Sequence, residues 1–228
     1  MHPWIRNSGK ELLQRLVFRE RFLWRLPAAC KRVALTFDDG PHPRFTAEVL
    51  DLLARQRVKA SFFVIGTNVE RYPDIAARIV NEGHSLGAHG YDHRDITSLS
   101  KAELEKDLKR CRDAIRTATG IDSLLFRPPR GRVDLRSISR VCALGYRLVH
   151  WTKTYNDYRK EGTEQLIDRM LADPLRARDI VLLHDHNPHT VEALGRMFPD
   201  WRKQGLEFHA LQVEPPSQSV RVRPTQPR

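Results

Sequence analysis

Short apolar segments alternate with longer amphipathic segments along most of this chain of 228 residues, from about residue 32 to residue 211. The apolar segments have the length of β-strands, and the amphipathic segments repeat their apolar residues at helical spacing. Such alternation predicts parallel strands, because each helix returns the chain to the same edge of the sheet. Seven units predict an α/β fold, namely a distorted (β/α)7-type barrel with parallel strands, related to the eight-unit TIM barrel.

The individual elements follow from the same patterns and from helix-capping and turn residues. Strands are predicted at residues 33–37, 60–65, 84–88, 124–126, 147–151, 180–183 and 206–211. Helices are predicted at residues 46–55, 73–82, 101–119, 135–144, 163–171 and 190–203. No linker composition divides this region, so residues 32–212 are expected to form one domain.

Both ends of the chain are basic. Residues 1–32 hold eight Lys or Arg and two Glu, a net charge of +6 out of the total of +11. Leucines at helical spacing predict a helix over residues 11–26, within a basic N-terminal extension of residues 1–31. This helix is expected either to pack on the domain or to lie on an anionic membrane surface. Residues 213–228, rich in Pro, Gln, Ser and Arg, predict a disordered basic tail.

Charge and composition narrow the partners and the compartment. Only +3 of the net charge falls in residues 33–213, which argues against a basic groove for nucleic acid. No apolar run approaches the roughly 20 residues that span a bilayer, and no secretory signal is evident, so a cytoplasmic location is expected. The protein is expected to be a monomer. If the basic helix binds lipid, the protein is expected to contact the inner face of the membrane. Cys30, Cys111 and Cys142 lack metal or redox spacing and are expected to be plain thiols.

Two adjacent carboxylates, Asp38 and Asp39, end the first predicted strand. In a parallel barrel, the active site lies at the carboxyl ends of the strands. Adjacent carboxylates repel each other unless a cation or an arginine compensates them. The following Gly40-Pro41 also suits a plain turn, so this pair alone does not decide between a turn and a site.

Two histidines, His89 and His93, follow the third predicted strand. Residues at i and i+4 share one face of a helical turn, so both imidazoles are expected to reach one metal ion. Asp39 would add an oxygen ligand. Three protein ligands with an open position are typical of a catalytic zinc-type site, although chance pairs are common in a chain with ten histidines.

Further polar residues follow the later strands. After the fourth strand, Pro128 and Pro129 stiffen the backbone, so that the Arg130 N–H becomes a candidate donor to a substrate oxygen and Arg127 can offset the charge of the aspartates. A merely stiff loop is the alternative. Trp151, Asp157 and Tyr158 follow the fifth strand, and Leu182 and His184 end the sixth, where a histidine suits either proton transfer or a structural role. His186 and His189 are assigned no role.

Together these motifs resemble the polysaccharide deacetylase family, also called the NodB homology domain or carbohydrate esterase family 4, over residues 32–212 and in the family's order. The resemblance implies a metal-dependent hydrolase that removes an N-acyl group, usually N-acetyl, from an amino sugar or glycan. It implies one divalent metal ion, with Zn²⁺ expected and Co²⁺, Ni²⁺ or Fe²⁺ as alternatives.

The resemblance also implies a role for each motif residue. Asp39, His89 and His93 would bind the metal, Asp38 would be the catalytic base, Arg127 would orient it, His184 would be the acid, Asp157 would tune that acid, the Arg130 N–H would serve the oxyanion, and Trp151, Tyr158 and Leu182 would line the substrate and acyl pocket. Gly90, Arg130 and Tyr158 depart from the usual Ser or Thr, Tyr and Trp. These departures leave the ligands, base and acid intact and put the usual substrate in question.

The substrate expected from these features is an N-acylated amino sugar or glycan, lipid-linked if the basic N-terminal helix brings the enzyme to the membrane. The Arg130 side chain is expected to favour a more anionic substrate. One alternative is an amidohydrolase of the same superfamily that acts on a small cyclic amide or ureide. Another is a non-catalytic carbohydrate- or nucleic-acid-binding module, which predicts a damaged metal triad or a basic body.

Overall fold

The structure, a computed structural model, describes residues 21–27 and 32–211. The strands are β1 (Phe22–Leu23), β2 (Arg32–Asp38), β3 (Ser61–Val64), β4 (Ser85–Ala88), β5 (Leu125–Phe126), β6 (Arg147–Val149), β7 (Lys153–Thr154), β8 (Ile180–His184) and β9 (Glu207–Phe208). The α-helices are α1 (Phe45–Arg55), α2 (Gly66–Arg71), α3 (Pro73–Asn81), α4 (Lys101–Thr119), α5 (Leu135–Ala143), α6 (Thr163–Ala172) and α7 (Pro188–Lys203), with 3₁₀ turns at Ile96–Ser98 and Pro129–Gly131. None of the helices in this part of the chain is long and apolar enough to cross a membrane.

The strands form one curled parallel sheet in the order β1-β6-β5-β4-β3-β2-β8-β7, with β9 added beside the start of β2. This is the predicted distorted (β/α)7-type barrel with parallel strands. Side chains of successive strand residues point to opposite faces, so Phe62 packs beneath the helices while Phe63 packs inside the curl. The parallel arrangement brings the carboxyl ends of all the central strands to one rim.

The predicted helix over residues 11–26 is wrong at its C-terminal end. Phe22 and Leu23 form β1, which pairs in parallel with Leu148 and Val149 of β6. Helical spacing of apolar residues is a weak signal, and here an open sheet edge offers backbone partners and core burial that an isolated helix lacks. The sheet therefore includes residues that precede position 32. The remainder of that predicted helix and the predicted tail lie outside the described residues.

The other predicted elements are confirmed, with bounds that agree with the prediction or differ from it by up to three residues at either end. Helix α4 has its predicted limits because Ser100 and Glu103 form a reciprocal capping box and Gly120 ends the helix in a left-handed conformation. The short helix α2 and the two-residue strand β7 were not predicted, since six and two residues are too few to show a period. Cys111 and Cys142 are buried free thiols, as expected.

Truncation of one β1 side chain tests whether this segment belongs to the core. Phe22 is 1% exposed, so we expect Phe22→Ala to lower the free energy of unfolding by about 3 kcal/mol through lost burial and a residual cavity. Urea denaturation measures this change. The control Leu135→Ala, at a position 65% exposed, should stay within about 0.5 kcal/mol of the parent. Equal midpoints for the two variants would show that β1 contributes nothing to the core.

Candidate active site

A cavity of about 720 Å³ opens at the rim where the strands end. It is lined by Asp38, Asp39, His89, His93, Arg130, Gly131, Trp151, Thr154, Asn156, Tyr158, Leu182, His184 and His186. Nine of the eleven residues singled out in the sequence are among them, and the other two, Arg127 and Asp157, lie directly behind the wall, bonded to lining residues. The topology thus brings together motifs that are spread over about 150 residues.

Asp39, His89 and His93 converge at one side of this cavity. The Asp39 Oδ1 atom lies 3.5 Å from His89 Nε2 and 3.4 Å from His93 Nε2, and one donor atom from each residue lies within 4.8 Å of the others. Asp39 Oδ1 is buried and has no hydrogen-bond partner in the described part of the chain. A buried carboxylate oxygen without a partner is costly. A divalent cation between these three atoms would remove that cost, so the residues fit a metal site with two nitrogen ligands and one oxygen ligand.

A hydrogen bond at Nδ1 of His89 leaves its Nε2 available to bind a metal ion. Strands β4 and β5 pair at Ala88 and Phe126, which places His89 beside Arg127. His89 Nδ1 lies 2.8 Å from the Arg127 carbonyl oxygen, an acceptor, so Nδ1 carries the proton and Nε2 keeps its lone pair. Burial lowers the pKa of His89 to about 3, which keeps the ring neutral and able to bind a cation at neutral pH.

The backbone that joins the two histidines is not helical, and the predicted helical turn is wrong. Gly90 and His93 both have positive φ, 83° and 60°, and the loop is held by bonds from the Gly66 N–H to the Gly90 carbonyl and from the Tyr91 N–H to Asp107 Oδ2. A side chain at Gly90 would be strained at this φ and would approach Asp107 Oδ2 at 3.3 Å. Here loop hydrogen bonding, rather than i,i+4 spacing, brings both imidazoles to Asp39.

Asp38 forms a buried ion pair with Arg127. Arg127 Nη1 donates to Asp38 Oδ1 at 2.7 Å and to Thr36 Oγ1 at 2.7 Å, while its guanidinium group packs 4.2 Å from the Phe63 ring centroid. Burial raises the pKa of Asp38, and the charge and hydrogen bond of Arg127 oppose that rise. The other oxygen, Oδ2, lies 3.7 Å from His89 Nε2. Asp38 therefore lies beside Asp39, His89 and His93, which we call the metal trio. Its Oδ1 is held by Arg127, and its Oδ2 is able to accept a proton.

His184 and Asp157 form the opposite side of the site. Register pairing of Asp38 with His184 sets the two side chains at the same level of the rim. Asp157 Oδ1 lies 2.8 Å from His184 Nδ1, and its Oδ2 accepts hydrogen bonds from the His184 N–H and from Thr190 Oγ1. Burial alone would lower the pKa of His184, but Asp157, with smaller help from Asp38 and Asp39, outweighs it and raises this pKa to about 9. An imidazolium at neutral pH suits a proton donor.

The Asp157–His184 pair gives a pH prediction. If His184 must be protonated to act, activity is present below its raised pKa and is lost as the pH rises through about 9. Asp157→Asn removes the carboxylate charge that raises the pKa, so we expect the alkaline limb of kcat/KM to move down by at least about one pH unit. A pH profile of the variant and the parent measures the shift. An alkaline limb at the same pH in both proteins would contradict the assignment of His184 to that limb.

The remaining predicted residues complete the wall. Arg130 has a φ of 57° within the Pro129–Gly131 turn. In this turn the Gly131 N–H donates to the Pro128 carbonyl and the Arg132 N–H donates to the Pro129 carbonyl. The Arg130 N–H therefore has no backbone acceptor among the described residues. A Cβ at Gly131 would come within 2.2 Å of the Trp151 ring, so only glycine fits there. Trp151, Leu182 and the half-exposed ring of Tyr158, which meets His184 edge-on at 5.7 Å between centroids, supply the apolar surface.

Several residues in or beside the site were not found in the sequence. Thr154, Asn156 and His186 line the cavity, and His186 Nδ1 lies 4.0 Å from Asp39 Oδ2. Behind them, the buried carboxylate of Asp185 accepts a hydrogen bond from Thr46 Oγ1 at 2.6 Å. The run His184-Asp185-His186 at a strand end was the available signal for two of these residues. Thr154 and Asn156 gave none, because they lie in a segment without a recognisable pattern.

Comparison with known proteins gives consistent matches. The family model described as polysaccharide deacetylase matches residues 25–149. The chain is 34% identical over 190 residues to a peptidoglycan-N-acetylglucosamine deacetylase of Bacillus cereus, covering 81% of this chain and 88% of that protein. It is 36% identical over 195 residues to a chitooligosaccharide deacetylase of Rhizobium leguminosarum bv. trifolii, covering 79% of this chain and 90% of that protein.

A solved structure agrees with the fold as well as with the sequence. The crystal structure of a peptidoglycan N-acetylglucosamine deacetylase superimposes with a TM-score of 0.81 at 27% sequence identity. The superposition covers 88% of this chain and 95% of that one. The likeness therefore extends over most of the chain.

Proposed function

Because this chain belongs to the polysaccharide deacetylase family, we propose that it hydrolyses the acetamido group of an N-acetylated amino sugar in a glycan, releasing acetate and a free amine. The observation that carries this proposal is the cavity itself, where three residues that fit a metal ion lie between the carboxylate of Asp38 and the imidazole of His184. That arrangement suits the addition of water to an amide carbonyl and the departure of its amine.

Each motif residue at the cavity has a proposed role in this reaction. Asp39, His89 and His93 would hold a divalent cation, which as a Lewis acid polarises the carbonyl oxygen and lowers the pKa of water. Asp38 Oδ2 accepts the proton of the attacking water as its oxygen bonds to the carbonyl carbon. The Arg130 N–H donates to the developing oxyanion, and one such donor is commonly worth about 10²–10³ in rate.

The second half of the reaction belongs to His184. The imidazolium transfers its proton to the sugar nitrogen as the C–N bond breaks, which yields the carboxylic acid and the neutral amine. Asp157 holds His184 through Nδ1, so that Nε2 remains for the substrate. Arg127 keeps Asp38 placed and compensates its charge. Trp151, Tyr158 and Leu182 surround the acyl group and the sugar ring.

The metal we propose is zinc. Two imidazole nitrogens and one carboxylate oxygen with an open position form a ligand set that zinc prefers, and Co²⁺, Ni²⁺ or Fe²⁺ could also occupy it. Elemental analysis of protein purified without added metal, followed by reconstitution of chelator-treated protein with each ion, tests this choice. Zinc at one equivalent per chain supports it. Another ion at one equivalent, with zinc failing to restore activity, would contradict it.

Acetate release tests the activity. We expect metal-loaded protein to release acetate from N-acetylchitooligosaccharides or from peptidoglycan glycan strands and to leave small cyclic amides and ureides intact. The Asp38→Asn protein, purified and loaded in the same way, controls for contaminating hydrolases. Hydrolysis of a cyclic amide or ureide alone would favour the rival amidohydrolase activity. Tight glycan binding without any acetate release would favour a non-catalytic module.

We further propose that the enzyme works at the cytoplasmic face of the inner membrane, on a lipid-linked or soluble amino sugar. The support is the net charge of +6 in residues 1–32. Because Phe22 and Leu23 belong to the sheet, the truncation that tests this must stop at residue 20. Protein beginning at residue 21 loses residues 11–20 of the predicted helix and keeps four of the eight basic residues. Full-length protein should therefore sediment with vesicles rich in anionic lipid more strongly than the shortened protein does. Equal sedimentation of both would reject a role for residues 1–20.

A further inference from the structure

Arg130 is the only Lys or Arg side chain that lines the cavity in the described part of the chain. It is exposed, and it forms no ion pair or side-chain hydrogen bond with any described residue. Neighbouring arginines differ in this respect. Arg94 pairs with Asp92 at 3.0 Å and Arg132 pairs with Asp95 at 2.8 Å. Of these three arginines, the one that lines the cavity is the one that has no carboxylate partner among the described residues.

Neither of the two acidic residues that line the cavity is paired with Arg130. Asp38 is paired with the buried Arg127, and Asp39 lies beside His89 and His93 in the group that would bind the cation. The positive charge of Arg130 therefore remains available to a ligand. A guanidinium group offers a planar fork of N–H donors that matches the oxygens of a carboxylate or a phosphate, and such charge-assisted bonds are stronger than neutral ones.

The backbone holds Arg130 at a defined place on the wall. Its φ of 57° is unusual for a residue other than glycine, and Pro128 and Pro129 immediately before it restrict the turn. Gly131 is fixed against the Trp151 ring. The Arg130 side chain therefore extends from a conformationally restricted turn. Because the N–H of the same residue is the proposed oxyanion donor, the side chain would lie close to the scissile amide.

We propose that Arg130 binds an anionic group, a carboxylate or a phosphate ester, close to the acetamido group that is hydrolysed, so that this enzyme prefers an anionic glycan to a neutral one. This inference rests on the proposed deacetylase function and refines its substrate. A preference for an anionic glycan would also distinguish between the two substrates for which the relatives are named. A chitooligosaccharide is neutral, whereas peptidoglycan contains a sugar with a carboxyl-bearing ether substituent.

The test compares three acetylated oligosaccharides of equal length. One is a neutral chitooligosaccharide, one carries a free carboxylate on the neighbouring sugar, as in a peptide-free peptidoglycan fragment, and one carries a phosphate ester at its reducing end. The variants are Arg130→Gln, which removes the charge, Arg130→Lys, which keeps it, and Arg130→Glu, which reverses it. Arg136→Gln is the matched control, because Arg136 is exposed on α5 and lies outside the cavity.

We expect the parent enzyme to favour one anionic substrate over the neutral one by about tenfold in kcat/KM, as a single partly exposed charge-assisted bond allows. Arg130→Gln should reduce this ratio to about one, Arg130→Lys should retain most of it, and Arg130→Glu should invert it. The ratio for Arg136→Gln should match that of the parent. The preference should also weaken as salt is added. Which anionic substrate shows the effect identifies the carboxylate or the phosphate.

Binding supplies a second readout that does not require turnover. Metal-loaded Asp38→Asn protein, with and without Arg130→Gln, is titrated with each oligosaccharide by calorimetry. The inference is overturned if the parent shows no anionic preference, or if Arg130→Gln weakens all three substrates equally. Absence of acetate release from every substrate would instead reject the proposed function, while the affinity ratios would still decide whether Arg130 recognises an anion.

Discussion

Asp38→Asn is expected to lower kcat by at least about a thousandfold while leaving one metal ion bound per chain. The amide cannot accept the proton of the attacking water, and a positioned general base commonly contributes about 10²–10⁴ in rate. The three metal-binding atoms belong to Asp39, His89 and His93, so they are unchanged. Acetate release measures the rate, and elemental analysis of dialysed protein measures the metal. A kcat within about tenfold of that of the parent would show that Asp38 is not the catalytic base.

The same substitution has a structural consequence that must be separated from catalysis. It leaves the fully buried guanidinium group of Arg127 beside a neutral amide, and an uncompensated buried charge is destabilising. We therefore expect a lower melting temperature for Asp38→Asn, and the assay must be run well below it. Retained circular dichroism and retained metal at the assay temperature show that the lost rate reflects the missing base.

His89→Ala is expected to abolish both metal binding and activity. His89 is the most deeply buried member of the trio, and its ring is oriented by the Arg127 carbonyl at 2.8 Å. Alanine leaves two protein ligands, too few for a stable catalytic site of this type. Metal content after dialysis should fall below about one tenth of an equivalent, and acetate release should become undetectable.

His186→Gln provides the matched comparison for metal content. His186 also lines the cavity, but it lies outside the trio, with Nδ1 4.0 Å from Asp39 Oδ2. We expect this variant to keep a full equivalent of metal. Loss of the ion from His186→Gln, with retention in His89→Ala, would mean that the site is built from a different set of ligands.

That the motif residues gather at one rim could be predicted, because most of them come at or just after the end of a predicted strand. Asp38 and His184 follow apolar segments whose strand character was clear, and parallel strands must bring such ends to one rim. The geometry of the histidine pair could not be predicted in the same way. Spacing alone suggested a helical turn, whereas bonds from Gly66 and to Asp107 fix a loop.

Site and core residues that belong to no motif could not be predicted from the sequence, for a related reason. Asp185 lies against Gly40, where an added Cβ would come within 2.3 Å of the carboxylate, and this contact joins segments 145 residues apart. Leu23 fitted the helical spacing of the N-terminal segment in the sequence, but in the structure Phe22 and Leu23 pair with Leu148 and Val149 of β6. Neither relation leaves a local trace, because both depend on which distant segment becomes a neighbour.

The sequence by itself determined the alternation of strands and helices, the order of the motifs and the chemical types at the rim, because these depend on local periodicity and composition. Only the tertiary structure decided which side chains meet. It paired His89 with the Arg127 carbonyl, Asp157 with His184 and Asp38 with Arg127, and it left Arg130 facing the cavity without a carboxylate. Those contacts arise from strand register and loop hydrogen bonds between segments far apart in the chain, which local periodicity and composition do not specify.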